Sequence, residues 1–175
     1  MTLKLKRTPG LFLVGFMASG KSTVGRALAD EIGWPFVDID AEIEQQQGQS
    51  IAQLFAERGE TAFRHIETET IRKHVLQIRS GQPSVVALGG GAFVQPQNWS
   101  LISDNGVTIW LDCPFETLCE RLGADTTRPL AADRAKLAEL FQHRRPLYGR
   151  ADYRVEVLSA EVSDVVESIR KLPLF

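Results

Sequence analysis

Eight consecutive residues, Gly15-Phe16-Met17-Ala18-Ser19-Gly20-Lys21-Ser22, carry the plainest chemistry in this chain. They match G-x-x-x-x-G-K-[ST] at every defined position. The two glycines permit backbone angles that turn successive N–H groups toward one phosphate. Lys21 supplies a point charge for the β- and γ-phosphates, and Ser22 offers a hydroxyl to Mg²⁺. A helix starting here adds its positive dipole end. At average residue frequencies the four defined positions coincide in roughly one chain of this length in two hundred. A strand before and a helix after make chance rarer still. The segment therefore reads as a phosphate site, silent on what receives the phosphate.

Asp38 and Asp40 close the second predicted strand, and residues two apart on a strand point the same way, so both can face the loop. One can order the waters around Mg²⁺ while the other accepts a proton from an attacking hydroxyl. The alternative is a solvated turn, or a cap for a helix from Ala41 onward. Further on, Arg64 and Glu67 are three apart at the start of a long helix and share one face. Glu67 can hold the guanidinium while its fork binds a carboxylate, although an exposed ion pair has the same spacing. Gly89-Gly90-Gly91 follows an apolar strand, where absent side chains let a ligand approach the backbone. Arg128, in a polar stretch, is placed to neutralise charge on a transferred phosphoryl group. Arg144 and Arg145 end a helix, a position that favours cations for structural reasons alone.

These groups need a scaffold that brings distant segments together. Strands are expected at 11–14, 35–38, 84–88, 107–111 and 153–158, and helices at 21–32, 60–80, 114–122, 133–144 and 163–172. Short helical pieces are expected at 41–59. Runs that are apolar throughout suit strands buried on both faces, and strand–helix alternation implies a parallel sheet covered by helices. Ligands then bind at the carboxyl ends of the strands, where the singled-out residues fall. The segments 41–59 and 123–133 stand apart as substrate-binding and lid insertions.

The chain's 175 residues suit one domain, and 43% hydrophobic with 24% charged residues is ordinary for a globular protein. A formal net charge of -2 argues against general nucleic-acid binding but leaves room for an arginine-lined anion pocket. Cys113 and Cys119 have no zinc spacing and read as reduced thiols of a cytosolic protein. His65, His74 and His143 form no metal set, and Trp34 and Trp110 read as packing residues. Phe55 and Phe63 belong either to the core or to the apolar edge of a pocket. Lys4, Lys6 and Arg7 before the apolar run 11–18 imitate a secretory signal, yet cleavage there would delete a strand and half of the phosphate loop. No other run approaches a membrane span.

The ordered set of phosphate loop, Asp-x-Asp, Phe-Arg-x-x-Glu, triple glycine, Arg-Pro-Leu and Arg-x-Pro-Leu-Tyr resembles shikimate kinase from about residue 11 to residue 153. The resemblance implies an α/β P-loop kinase with a five-stranded parallel sheet of order 2-3-1-4-5 flanked by helices. It would form one domain over 1–175, with a substrate-binding segment at about 38–67 and a lid at about 123–133. Shikimate would be held by Asp40, Arg64, the glycines Gly89, Gly90 and Gly91, and Arg144, with its carboxylate on the two arginines; Arg145 competes with Arg144 for that place. Asp40 would take the proton of the 3-hydroxyl, with Lys21 and Arg128 as the other catalytic groups. ATP would lie on Ala18, Ser19, Gly20, Lys21, Ser22, Thr23, Arg121 and Arg128, and Mg²⁺ on Ser22 and, through water, Asp38. A cytoplasmic monomer is expected, acting on shikimate and ATP and on neither nucleic acid nor membrane. A gluconate kinase is the nearest alternative, and the triple glycine with Phe-Arg-x-x-Glu favours shikimate. A catalytically dead metabolite sensor is a second alternative, and Lys21, Asp40 and Arg128 all being present speaks against it.

Overall fold

Every residue of the strand β1 (Gly10–Val14) is buried, because β1 is flanked by strands on both edges and covered by helices on both faces. In the computed structural model, which describes residues 10–123, 133–158 and 160–174, a parallel sheet forms around it. β3 (Ser84–Ala87) pairs with β1 on one side and β4 (Gly106–Asp112) on the other. The short strand β2 (Phe36–Asp38) pairs with β3, and β5 (Tyr153–Glu156) with β4, giving the order β2-β3-β1-β4-β5. This is the expected order. Adjacent parallel strands need crossovers, and helices supply them.

The helix α1 (Lys21–Ile32) starts at Gly20 and stops at Gly33, both in the left-handed conformation that glycine adopts without strain. It packs on β3 and against α7 (Val162–Arg170). Its Gly25 is a point of close approach, since a Cβ there would lie 2.6 Å from the Phe36 ring. α4 (Pro96–Ser103), which the sequence reading omitted, covers β4; its stretch has little periodicity, but Pro96 opens it and Asn98 and Ile102 turn inward. α5 (Phe115–Gly123) carries Arg121 in its last turn.

Three local features differ from expectation or refine it. The helix α2 (Ile39–Gln47) begins directly after β2, so Asp40 lies in a helical first turn and not on a strand. Asp38 is the N-cap and accepts a hydrogen bond from the Ala41 amide, so the strand ends at Asp38 and its alternation does not extend to Asp40. The helix α3 (Ile51–Arg79) opens with a capping box between Ser50 and Gln53 and bends at Gly59, whose φ of 80° and ψ of 170° are non-helical. The bend separates a piece bearing Phe55 from a piece bearing Arg64. Finally, α6 (Arg134–Tyr148) runs past Pro146, where the sequence reading stopped it at Arg144. A proline so near the end forfeits one backbone bond but leaves the last turn helical. Arg144 and Tyr148 therefore share a face, one turn apart.

Candidate active site

The phosphate loop is built on backbone shapes that few side chains tolerate. Gly15 has φ 145°, and a Cβ on it would sit 2.8 Å from the Leu111 carbonyl oxygen. Ala18 holds φ 62°, the single non-glycine positive φ among the described residues, and strain of this kind concentrates at ligand sites. The Lys21 ammonium is buried and donates to the carbonyl oxygens of Gly15 (2.9 Å) and Phe16 (2.7 Å), which fixes it inside the loop. Ser22 Oγ donates to Asp38 Oδ2 at 2.5 Å. Asp38 thereby caps α2 with one oxygen and meets the loop with the other. Arg121 Nη1 donates to the Ala18 carbonyl at 3.0 Å, so α5 reaches the loop from the opposite side.

A cleft of about 490 Å³ runs over this loop, within the range of nucleotide- and drug-sized sites. Asp38, Asp40 and Gly90 line one end, and Arg121 and Leu122 the other. The far wall comes from Val157, Ala160, Val162 and Val165, which sequence reasoning did not single out. Their only advance signal was the apolar character of the segment joining β5 to α7.

Beyond Asp40 the site becomes a ring of charge around the triple glycine. Arg64 Nη1 donates to Glu67 Oε2 at 2.7 Å, and a second, weaker pair links Arg64 to Glu60 at 3.3 Å. The Arg64 guanidinium also lies 5.3 Å from the Phe63 ring centroid and 6.0 Å from that of Phe55, and the two rings are 4.6 Å apart. Glu67 is 1% exposed. Burial pushes its carboxyl above the usual range, the Arg64 charge and hydrogen bond oppose that, and nearby Asp40 adds to the rise.

The three glycines leave room that these groups fill. A Cβ on Gly89 would lie 2.6 Å from Asp40 Oδ1 and 3.1 Å from Glu67 Oε1. One on Gly91 would lie 2.8 Å from Arg64 Nη1, and one on Gly90 would lie 3.2 Å from the Met17 amide nitrogen and 3.5 Å from Arg144 Nη1. Gly90 thus stands where phosphate loop and arginine ring meet.

Arg144 and Arg145 diverge. Arg144 turns inward, toward Gly90 and over the Phe16 ring at 6.0 Å. Arg145 donates to Asp112 Oδ2 at 2.8 Å and lies over Trp110 at 5.4 Å, on the other side of α6. Arg154 shares the same Asp112 oxygen and the same indole. The structure therefore brings together Asp40, Arg64, Gly89, Gly90, Gly91 and Arg144 at one end, and the loop residues 18–23, Asp38 and Arg121 at the other. Arg128 and most of the expected lid, 124–132, lie outside the described residues. Chemically, one end offers backbone amides and a lysine to a polyphosphate. The other offers guanidinium groups to an anion, with the Asp40 carboxylate between the two.

Comparison with known proteins gives a consistent picture. The family model for shikimate kinase matches residues 17–172. The chain is 41% identical over 160 residues to a shikimate kinase from Persephonella marina, covering 91% of this chain and 95% of that protein. It is 42% identical over 158 residues to one from Synechococcus elongatus, covering 89% and 80%. The structure of shikimate kinase from Acinetobacter baumannii in complex with shikimate superposes with a TM-score of 0.86 at 35% identity, covering 94% of this chain and 92% of that one. A gluconokinase from Sinorhizobium meliloti, at 20% identity and a TM-score of 0.58, covers 93% of this chain and 90% of its own and shares the fold.

Proposed function

The chain belongs to the shikimate kinase family, and we propose on that footing how its residues divide the work. The protein phosphorylates shikimate at the expense of ATP, giving shikimate 3-phosphate and ADP. The observation that carries the division of labour is the placement of Asp40 between the phosphate loop and the ring of Arg64, Glu67 and Arg144.

ATP lies along the loop residues Ala18, Ser19, Gly20, Lys21, Ser22 and Thr23, with its base toward Arg121 and the wall at Val157 and Val162. Lys21 faces the β- and γ-phosphates. Backbone amides and the α1 N-terminus hold negative charge that water would otherwise solvate. Shikimate lies across the glycines with its carboxylate on Arg64 and Arg144. Glu67 fixes the Arg64 fork, and Arg145, committed to Asp112, takes no part in binding. Asp40 accepts the proton of the 3-hydroxyl as that oxygen bonds to the γ-phosphorus; the bond to the β–γ bridging oxygen breaks and ADP departs with the electron pair. Arg128, from the segment 123–133 acting as a lid over a single domain, neutralises charge on the phosphoryl group in flight.

Mg²⁺ fits the donor set: Ser22 Oγ and Asp38 Oδ2, 2.5 Å apart, are hard oxygen ligands of the kind that share this ion with phosphates and water. When bound it would sit on Ser22, and through water on Asp38, and would offset charge on the phosphates. Among the described residues no group of three or more His, Cys, Asp and Glu side chains could hold a metal alone. We place the enzyme in the cytoplasm as a monomer acting on small molecules and on neither nucleic acid nor membrane. Its two free thiols and its net charge of -2 support that setting. No helix among the described residues is long and apolar enough to cross a membrane.

ADP release from Mg-ATP, measured with shikimate, gluconate and quinate side by side, tests the reading. Shikimate-dependent turnover is expected for the wild type, with a loss of roughly 10²- to 10⁴-fold in kcat for Asp40→Ala. Turnover with gluconate alone would discard the substrate, and full activity of Asp40→Ala would discard the base.

A further inference from the structure

Tyr148 is the least expected member of the site. It is 1% exposed, at the last turn of α6, and its hydroxyl is the one polar group of its side chain. That hydroxyl donates to the Gly90 carbonyl at 2.5 Å. The Arg144 guanidinium, one turn earlier on the same face, is a charged neighbour of that hydroxyl. Leu137, Phe141, Arg144 and Tyr148 recur at helical spacing, and the three apolar or aromatic members are buried. Arg144 is thus a cation on an otherwise inward-facing stripe. A long, rotamer-rich side chain there needs something to fix its direction. The ring of Tyr148 is held by Trp110, whose centroid is 6.2 Å away. Burial pushes the phenol up to about 12, against the lowering charges of Arg144 and Arg64, so the hydroxyl keeps its proton and remains a donor at any working pH.

We propose that the Tyr148 hydroxyl is a positioning group for substrate binding: its bond to the Gly90 carbonyl holds the glycine backbone beside the Arg144 guanidinium, so that arginine and glycine backbone present one preformed seat to the substrate carboxylate. Tyr148 does not touch the reacting atoms. It acts through Arg144 and through the peptide at Gly90, whose neighbourhood extends to the Met17 amide of the phosphate loop. The proposal deepens the function proposed above and rests on it for the identity of the acid.

The test is Tyr148→Phe, which keeps the buried ring and deletes only the hydroxyl. The KM for shikimate should rise about tenfold, the cost of roughly one hydrogen bond, while the KM for ATP stays within twofold. In an Arg144→Ala background the same change should have no further effect on the shikimate KM, because the group it positions is gone. A shikimate KM within twofold of wild type, or an equal tenfold effect in both backgrounds, would overturn the proposal. A parallel rise in both KM values would also overturn it, by showing general loosening of the site. If the wild type showed no turnover with shikimate, the substrate assignment would fall instead. Amide hydrogen exchange at residues 89–92, expected to quicken in Tyr148→Phe without any ligand, would then decide the tether by itself.

Discussion

A methyl group added at Gly91 would arrive 2.8 Å from Arg64 Nη1, and one added at Gly89 would arrive 2.6 Å from Asp40 Oδ1. The two glycines differ in what they protect, and their substitutions should separate. Gly91→Ala displaces the guanidinium and should raise the shikimate KM at least about tenfold with little change in the ATP KM, since one misplaced charged bond costs on the order of 1.5–3 kcal/mol. Gly89→Ala presses on Asp40 and should lower kcat more than it alters either KM; steady-state kinetics with both substrates varied checks the pair. At this scale much was legible in the sequence. The phosphate loop, the triple glycine and the Arg64–Glu67 spacing announce themselves by residue type. The choice between Arg144 and Arg145 was also written there, in the 3.6-residue stripe through Leu137, Phe141 and Tyr148, but reading it required knowing that Pro146 leaves the helix intact. Asp40 was named for a reason that the structure replaces, since a helix start and not strand alternation places it.

Among the elements, α2 and α3 are joined by Glu42, which accepts from Lys73 at 2.7 Å and is bonded to the buried His74. Glu42 lies two residues after Asp40, so this strut steadies the helix that presents the proposed base. Burial disfavours the Glu42 charge, yet hydrogen bonds and charges from Lys73 and His74 prevail and hold its carboxyl below the ordinary 4.5. A folded-state value below the unfolded one means that the native protein favours the carboxylate. The stabilisation is full above pH 4.5 and is lost as pH falls through the depressed folded value. Glu42→Gln should therefore lower the urea midpoint at pH 7, and the gap from wild type should close in acid; a gap independent of pH would refute the strut. Gly59 sets the bend of α3 at angles reserved for glycine, and Gly59→Ala should cost about 1–3 kcal/mol by the same measurement. The bend was anticipated as a boundary between helical pieces because Gly interrupts the pattern there. α4 was not, because its eight residues are too few to show a period.

For the whole molecule, the layered sheet separates two regions: β1 feeds the phosphate loop, while β3 leads into the glycines beside Asp40, Arg64 and Arg144. A parallel sheet under helices was legible because strands buried on both faces read as continuous apolar runs, whereas the order of its strands came from the resemblance to the family. What the sequence could not display was long-range closure, such as the wall of Val157, Ala160, Val162 and Val165 over the cleft at the phosphate loop, since no local pattern records which surfaces meet. The sheet also leaves little slack. A Cβ on Gly106 would lie 2.6 Å from the Gly10 carbonyl oxygen, part of a neighbouring strand that cannot yield. Gly106→Ala should destabilise the fold by about 1–3 kcal/mol in equilibrium unfolding, without altering KM for either substrate in the fraction that folds.

Trp110, with the guanidinium groups of Arg145 and Arg154 near its ring and Tyr148 packed beside it, gives the protein a built-in optical gauge. Indole emission shifts with the local electric field, and one of the two guanidinium groups near this indole is carried on the same helix turn as Arg144. When an anion settles on Arg144, the field at this indole changes, and the colour and yield of that fluorescence should change with it, with Trp34 and Trp99 as a background that Trp110→Phe would leave behind. Acid binding can then be followed by light alone, with no dye attached and no turnover required.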